Sequence, residues 1–148
     1  MKKLLLILLL YYSHLYALDT KSTLNIYHEL FTSLLGNKKI IVYTKDKELR
    51  HVFESSNKIV LCDSIKEATI ILISSISGLA PIDEELLNGA LHPIVFATDY
   101  RLLKRSNSII GAFYWKKGRS QILFIKHRLD KYKIHLPPKY KAFMVDEL

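Results

Sequence analysis

The sequence predicts a three-layer α/β domain: a mostly parallel sheet with helices on both faces and an antiparallel hairpin near the C-terminus. Three observations carry the prediction. Short apolar runs recur at residues 39–44, 58–62, 69–74 and 92–97, apolar on both sides as strands covered on both faces are. Segments with helical spacing or helix-start chemistry separate them, and strands that alternate with helices pair in parallel through crossovers. Beyond residue 104 the rhythm changes to two strands, 108–115 and 121–126, flanking Lys116-Lys117-Gly118-Arg119, whose glycine suits a tight hairpin turn.

Met1-Lys2-Lys3 precedes an unbroken apolar run from Leu4 to Tyr12, and a short segment ending at Ala17 leads to the first acid, Asp19. A basic start, an apolar centre and a small residue at the end are the layout of a secretory signal peptide, expected to cover residues 1–17. The run is shorter than the about 20 apolar residues that a stable bilayer span takes. A retained anchor is the alternative, because Leu15 stands where a smaller residue is preferred. No Cys follows the run, so a lipid-modified N-terminus is not expected. Residues 18–148 read as one domain without linker, repeat or low-complexity tract, large enough for its own core and expected to work outside the cytoplasm.

Thr20 or Ser22 caps a helix to about Leu35, in which Leu24, Tyr27, Leu30, Phe31, Leu34 and Leu35 recur at three- and four-residue spacing. Gly36 stops it before the first strand. Asp46 opens a second helix with Leu49, Val52 and Phe53 on one face, ending near Ser56-Asn57. Residues 58–62 read as a buried strand, 63–67 as a single helical turn, and 69–74, the run richest in β-branched residues, as the central strand. Ser74 to Pro81 is a small-residue loop, and Asp83 starts a helix whose acids stand in the dipole-favoured first turn and which Asn88-Gly89 closes. After strand 92–97, Thr98 or Asp99 caps a helix to about Lys104. A last helix is expected from about Pro137 to Asp146, with Pro138 in its first turn.

Charge is unevenly distributed. The whole chain carries 22 Lys and Arg against 14 Asp and Glu, and without Lys2 and Lys3 the net charge is +6. Residues 18–100 hold 8 basic and 11 acidic side chains, a net of −3, whereas residues 101–148 hold 12 and 3, a net of +9. A concentrated positive field selects an anionic partner. Export removes nucleic acid from that role, which leaves an acidic patch on a protein, an anionic envelope polymer, or peripheral contact with an anionic membrane surface. A basic surface kept for solubility is the plainer account. Cys62 is the single cysteine, so no intramolecular disulfide forms, and burial in a strand is the expected fate of an unpaired thiol in an oxidising compartment.

Ligands in sheets of this kind lie beyond the carboxyl ends of the strands, here Thr44-Lys45-Asp46, Ser74 to Gly78 and Thr98-Asp99-Tyr100. The hydroxyls of Ser74, Ser75 and Ser77, with Gly78 and Asp99, are the candidate ligand-binding residues; ordinary loop chemistry is the alternative. The middle loop has neither dinucleotide-type glycine spacing nor a Gly-Lys-Ser/Thr phosphate signature, so no cofactor is expected. Asp46 and Asp99 are the residue type that phosphoacceptor domains use to hold magnesium, yet helix capping explains both. No two of His28, His51, His92, His127 and His135 stand at close helical metal spacing. His127 and His135 flank the last strand-to-helix connection and form the one conceivable pair. There is no nucleophile elbow and no paired carboxylates beside aromatic residues, so the chain is expected not to be an enzyme.

The hairpin is the most distinctive surface. Phe113-Tyr114-Trp115 sets aromatic bulk beside the basic tip, and strand alternation sends Phe113 and Trp115 to one face and Tyr114 to the other. Core packing of Phe113 and Trp115 is the plain expectation; Tyr114, Lys116, Lys117 and Arg119 are the candidate partner-binding residues.

The run Ile109 to Arg119, then Gln121-Ile-Leu-Phe-Ile125, Leu129 and Ile134-His-Leu-Pro-Pro-Lys-Tyr140 resembles the end of YfiR-like periplasmic proteins, and Ile40 to Thr44, Thr69 to Ser74 and Pro93 to Asp99 fit that family's strands in order. The resemblance covers about 110 residues and is strongest in the tail. It implies a small periplasmic α/β regulator, some members of which repress a membrane-bound diguanylate cyclase by binding its periplasmic sensor region. Members often carry cysteines that pair, whereas Cys62 is alone and Ala68 stands where a Cys is common, so the resemblance does not extend to disulfide-based control. The expected function is therefore a periplasmic binding domain that modulates a membrane signalling protein, a diguanylate cyclase or sensor kinase. A small-ligand binding domain and a structural accessory protein of the envelope are the alternatives.

Overall fold

The computed structural model of the chain describes residues 20–88 and 92–148; the signal peptide expected at 1–17 lies outside them. Helix α1 (20–35) leads into β1 (Ile41–Tyr43), α2 (Lys47–Glu54), β2 (Val60–Cys62), β3 (Ile70–Ile73), α3 (Leu79–Asn88), β4 (Ile94–Ala97), the hairpin β5 (Ile109–Lys116) and β6 (Arg119–Ile125), α4 (Lys126–Lys131) and β7 (Met144–Val145). The seven strands form one sheet in the order β2-β1-β3-β4-β5-β6-β7. Every neighbouring pair is parallel except the hairpin. This is the expected three-layer α/β architecture.

The two faces have separate cores. On one, Tyr27, Leu30, Phe31 and Leu34 of α1 and Phe53 of α2 meet Val42, Ile70, Leu72, Phe96, Phe113 and Phe124 of the sheet. On the other, Leu79 and Ile82 of α3 and Leu102 and Leu103 of the 3-10 helix Tyr100–Lys104 cover Ile71, Ile73, Val95, Ala97 and Ala112. Helix α2 leads outward from β1 to β2 and α3 leads the opposite way from β3 to β4, so right-handed crossovers put them on opposite faces. All four residues of β3 are buried, which fits its inner position.

Gly111 is required by close approach. A Cβ there would stand 2.6 Å from the Leu123 carbonyl oxygen and 2.7 Å from the Phe96 ring. Phe96 and Phe124, with ring centres 5.8 Å apart, meet over the space it leaves. The hairpin closes through Lys117 (φ 52°) and Gly118 (φ 75°), the two left-handed positions of the turn whose twist matches the flanking strands.

Several elements differ from the sequence reading. Residues 58–62 were expected as a buried strand, but β2 is an edge strand with Val60 40% exposed, since only β1 pairs with it. Helix α3 starts at Leu79 rather than Asp83, because Pro81 is tolerated in a first turn and Leu79 and Ile82 reach the core together. Asp83 accordingly accepts hydrogen bonds from the hydroxyls of Ser106 (3.0 Å) and Ser108 (2.8 Å) instead of standing at the helix start. The expected last helix over 137–146 is a 3-10 helix, Pro138–Phe143, followed by β7, which pairs Met144 and Val145 with Phe124 and Ile125. The short α4 was not anticipated; its Arg128 is buried and donates to the carbonyls of Leu103, Ser106 and Ile109 and to Asn107 Oδ1.

Candidate functional site

The carboxyl ends of β1, β3 and β4 lie at one end of the sheet, and β5 runs past them. Ala112 is the register partner of Ala97, the last residue of β4. Phe113 to Lys116 therefore overhang that end by about 13 Å, at about 3.3 Å per residue. The fold brings the loops after the strands and the base of the hairpin side by side.

An open cleft of about 780 Å³ lies between the ends of β3 and β4, lined by Ser74, Ser75 and Ile76 on one side and Asp99 to Leu102, Lys104 and Arg105 on the other. Asp99 caps the 3-10 helix by accepting from the Arg101 N–H at 2.9 Å. Its carboxylate also holds the Arg101 guanidinium in a fork, with Nη2–Oδ2 at 2.6 Å and Nε–Oδ2 at 2.9 Å. These hydrogen bonds hold the Asp99 carboxyl below the usual carboxylate range against the opposing effect of its partial burial. Lys104 and Arg105 have no carboxylate partner among the described residues. The cleft is thus cationic, with an internal acid already occupied.

A second cavity of about 240 Å³ adjoins it, lined by Thr98 to Arg101 together with Tyr114 and Trp115 of the hairpin. Tyr100 stands between the two. Its ring lies 4.9 Å from that of Tyr114, and Lys116 Nζ sits 5.7 Å above it, within cation–π range. Trp115 does not join the core as expected: it is 57% exposed, while Phe113 is 2% exposed. Phe113 is covered by Tyr27 at 5.1 Å, and α1 supplies no ring contact to Trp115 beyond it. Ile76, Tyr100 and Trp115, three of the exposed large apolar side chains, therefore line adjoining cavities at one end of the molecule.

Of the residues singled out in the sequence, Ser74, Ser75 and Asp99 share the larger cleft. Ser77 and Gly78 line an adjoining recess of about 190 Å³ with Tyr43 and Lys45, which shares Ser74 and Ser75 with the cleft and lies where the strand order reverses between β1 and β3. Ser75 and Ser77 hydroxyls bond each other at 3.0 Å. Tyr114 and Lys116 meet the cleft through Tyr100, whereas Lys117 and Arg119 lie farther out on the exposed tip. Ile76 and Tyr100 fall inside the strand-end segments Ser74 to Gly78 and Thr98 to Tyr100 but were not picked out within them; Arg101, Lys104 and Arg105 were missed, and the dense charge after residue 100 was their only signal.

The remaining polar candidates have local partners. Asp46 caps α2 by accepting from the N–H groups of Glu48 and Leu49. His127 Nδ1 meets the Asp146 carbonyl and His135 Nδ1 the Lys133 carbonyl, so each has a local backbone partner of its own. No group of three or more His, Cys, Asp or Glu able to hold a metal occurs among the described residues. The Cys62 thiol donates to the Ser64 carbonyl at 3.3 Å, and burial pushes its pKa up, away from the thiolate that redox chemistry uses. No helix among the described residues is long and apolar enough to cross a membrane.

The fold and this surface define a three-layer α/β domain with a cationic, aromatic carboxyl end. No family model and no curated protein matches the sequence. Among solved structures, the chain is similar to a conserved domain protein from Vibrio cholerae O1 biovar eltor str. N16961, with a TM-score of 0.59 and 14% sequence identity over 82% of this chain and 59% of that one. At that identity the likeness is one of fold, and the chain spans about three fifths of the Vibrio protein's length.

Proposed function

We propose that the chain is an exported, non-enzymatic binding domain that docks a partner protein at the carboxyl end of its sheet and thereby adjusts the activity of a membrane signalling protein. The observation that carries this reading is the convergence of Ile76, Tyr100 and Trp115, ringed by Arg101, Lys104, Arg105 and Lys116, on one end of the molecule. Exposed aromatic side chains and arginine beside a recess are the composition of binding hot spots, and clustered apolar exposure on a small domain marks an interaction site. The surrounding cations select a partner surface carrying acids and speed its encounter. The resemblance of the tail to YfiR-like proteins supports a periplasmic location and a diguanylate cyclase or sensor kinase as the modulated protein.

A photo-crosslinking amino acid at Trp115, activated in intact cells and followed by mass spectrometry, tests the reading. The expected product is one membrane signalling protein, linked from Trp115 and not from exposed His51 on the far side of α2. Recovery of wall or motor components alone would assign the chain to the envelope scaffold instead. Fusion of a periplasm-only reporter after residue 30 should be active. A small-ligand site is the second reading, favoured by the size of the cleft, since about 300–1,000 Å³ accommodates a small organic molecule; ligand-dependent protection of Tyr100, with no crosslinked protein, is its signature.

A further inference from the structure

The opposite end of the sheet holds a second large cavity, of about 880 Å³. Its basic side chains come from separate parts of the chain: Lys38 from the turn after α1, His92 from the approach to β4, and Lys131, Lys133 and His135 from the end of α4 and the segment beyond it. No Asp or Glu lines it, and Gly89, Ala90 and Leu91, immediately before His92, bring none in sequence. None of the three lysines forms an ion pair among the described residues.

Helix ends do not account for so much positive charge. The C-termini of α1 and α4 face this cavity, and each contributes at most about half a negative charge, less for the short α4. About two positive charges remain in excess, with two imidazoles beside them. Between them the walls are apolar, with Leu34, Ala68, Ile94 and Ile134, and the Tyr132 ring lies among them with Lys131 Nζ 5.6 Å from its centre. Lys133 holds a left-handed conformation, φ 55°, which ordinarily falls to glycine or asparagine at a helix end. A glycine there would make the turn at lower cost and would remove one of the cations.

We infer that this amino-end cavity binds a small organic anion, an apolar body bearing a phosphate or carboxylate group, with the acid held among Lys38, Lys131 and Lys133 and the body against Ile94, Ile134 and Tyr132. The inference is independent of the docking surface, which lies at the other end of the sheet.

Phenyl phosphate, benzoate and phenol, titrated into the purified protein at low salt and followed by the imidazole proton resonances of His92 and His135, test it. The expected result is saturable shifts with either anion and at least tenfold weaker binding of phenol. The double variant Lys38→Gln/Lys131→Gln, with both side chains exposed and the fold checked by circular dichroism, should weaken phenyl phosphate at least tenfold; Lys116→Gln/Lys117→Gln should leave it unchanged. Equal binding of phenol, equal loss in both double variants, or shifts that never saturate would overturn the inference.

Discussion

Arg128 offers the sharpest test of how the domain is held together. It is 7% exposed and has no carboxylate partner among the described residues. Its guanidinium instead bridges the loop between the 3-10 helix and β5, donating to the carbonyls of Leu103 at 3.1 Å, Ser106 at 3.0 Å and Ile109 at 2.7 Å and to Asn107 Oδ1 at 3.1 Å. Burial pulls its pKa down, yet an arginine starts so high that it stays charged at any physiological pH. Arg128→Met keeps most of the stem volume and removes the donors. The Leu103 and Ile109 bonds are buried, and each stranded carbonyl costs about 1–3 kcal/mol; the Ser106 carbonyl and Asn107 are partly exposed and recover water. Relief of guanidinium desolvation offsets part of this, as does the loss of its unpartnered Nε, so the net destabilisation is about 2–4 kcal/mol. With a urea slope of about 2 kcal/mol per molar, the unfolding midpoint should fall by about 1–2 M. Arg128→Lys, a point charge that cannot fan out over four acceptors, should recover less than half. A shift below about 0.3 M for Arg128→Met, or full recovery by lysine, would refute the carbonyl-bridging account.

Gly111→Ala should destabilise by about 1–3 kcal/mol in thermal or urea unfolding, because its Cβ would stand 2.6 Å from a backbone oxygen that cannot rotate away. Burial first, and the Asp46 charge second, raise the Tyr27 phenol above its ordinary value of 10.0; the folded state keeps that proton after the unfolded chain has lost it, so stability should fall as pH rises above about 10, and Tyr27→Phe should flatten that slope. Cys62 should react with a thiol reagent only after denaturation, and Cys62→Ser should cost about 1–3 kcal/mol. Replacing Lys116, Lys117 and Arg119 together by Gln should leave stability within about 0.5 kcal/mol per site while slowing partner association, with the loss shrinking as salt rises. The same exchange at Lys38, Lys39 and Lys58, exposed at the other end of the sheet, is the control; equal weakening by both triples would reduce the effect to net charge.

The inner strands were legible because β3 and β4 are apolar on both faces, a pattern that only a covered sheet position satisfies. Helices α1 and α2 were legible from their periodicity and, for α2, from the Asp46 cap. The C-terminal segment was not. A 3-10 helix of six residues and a strand of two carry no period to read, and β7 exists only because Phe124 and Ile125 on β6 offer a free edge. The α3 boundary slipped because proline in a first turn and proline in a loop look alike in sequence.

The candidate site shows the same division. Ser74, Ser75 and Asp99 could be placed from their positions after strands, but their union with Tyr114 and Lys116 depends on a register, Ala97 opposite Ala112, that no local pattern encodes. Trp115 makes the point most directly. Alternation correctly assigns it to the face of Phe113, and on a full sheet that face would be core. The register carries β5 beyond the end of β4, so the covering layer stops at Phe113 and the next residue on the same face, though in ring contact with it at 6.3 Å, stands largely in solvent. A side chain with the sequence signature of packing thus becomes a docking candidate through the length of its strand relative to its neighbour. Shortening the overhang, and not substituting the indole alone, is the change that would return this face to an ordinary sheet end.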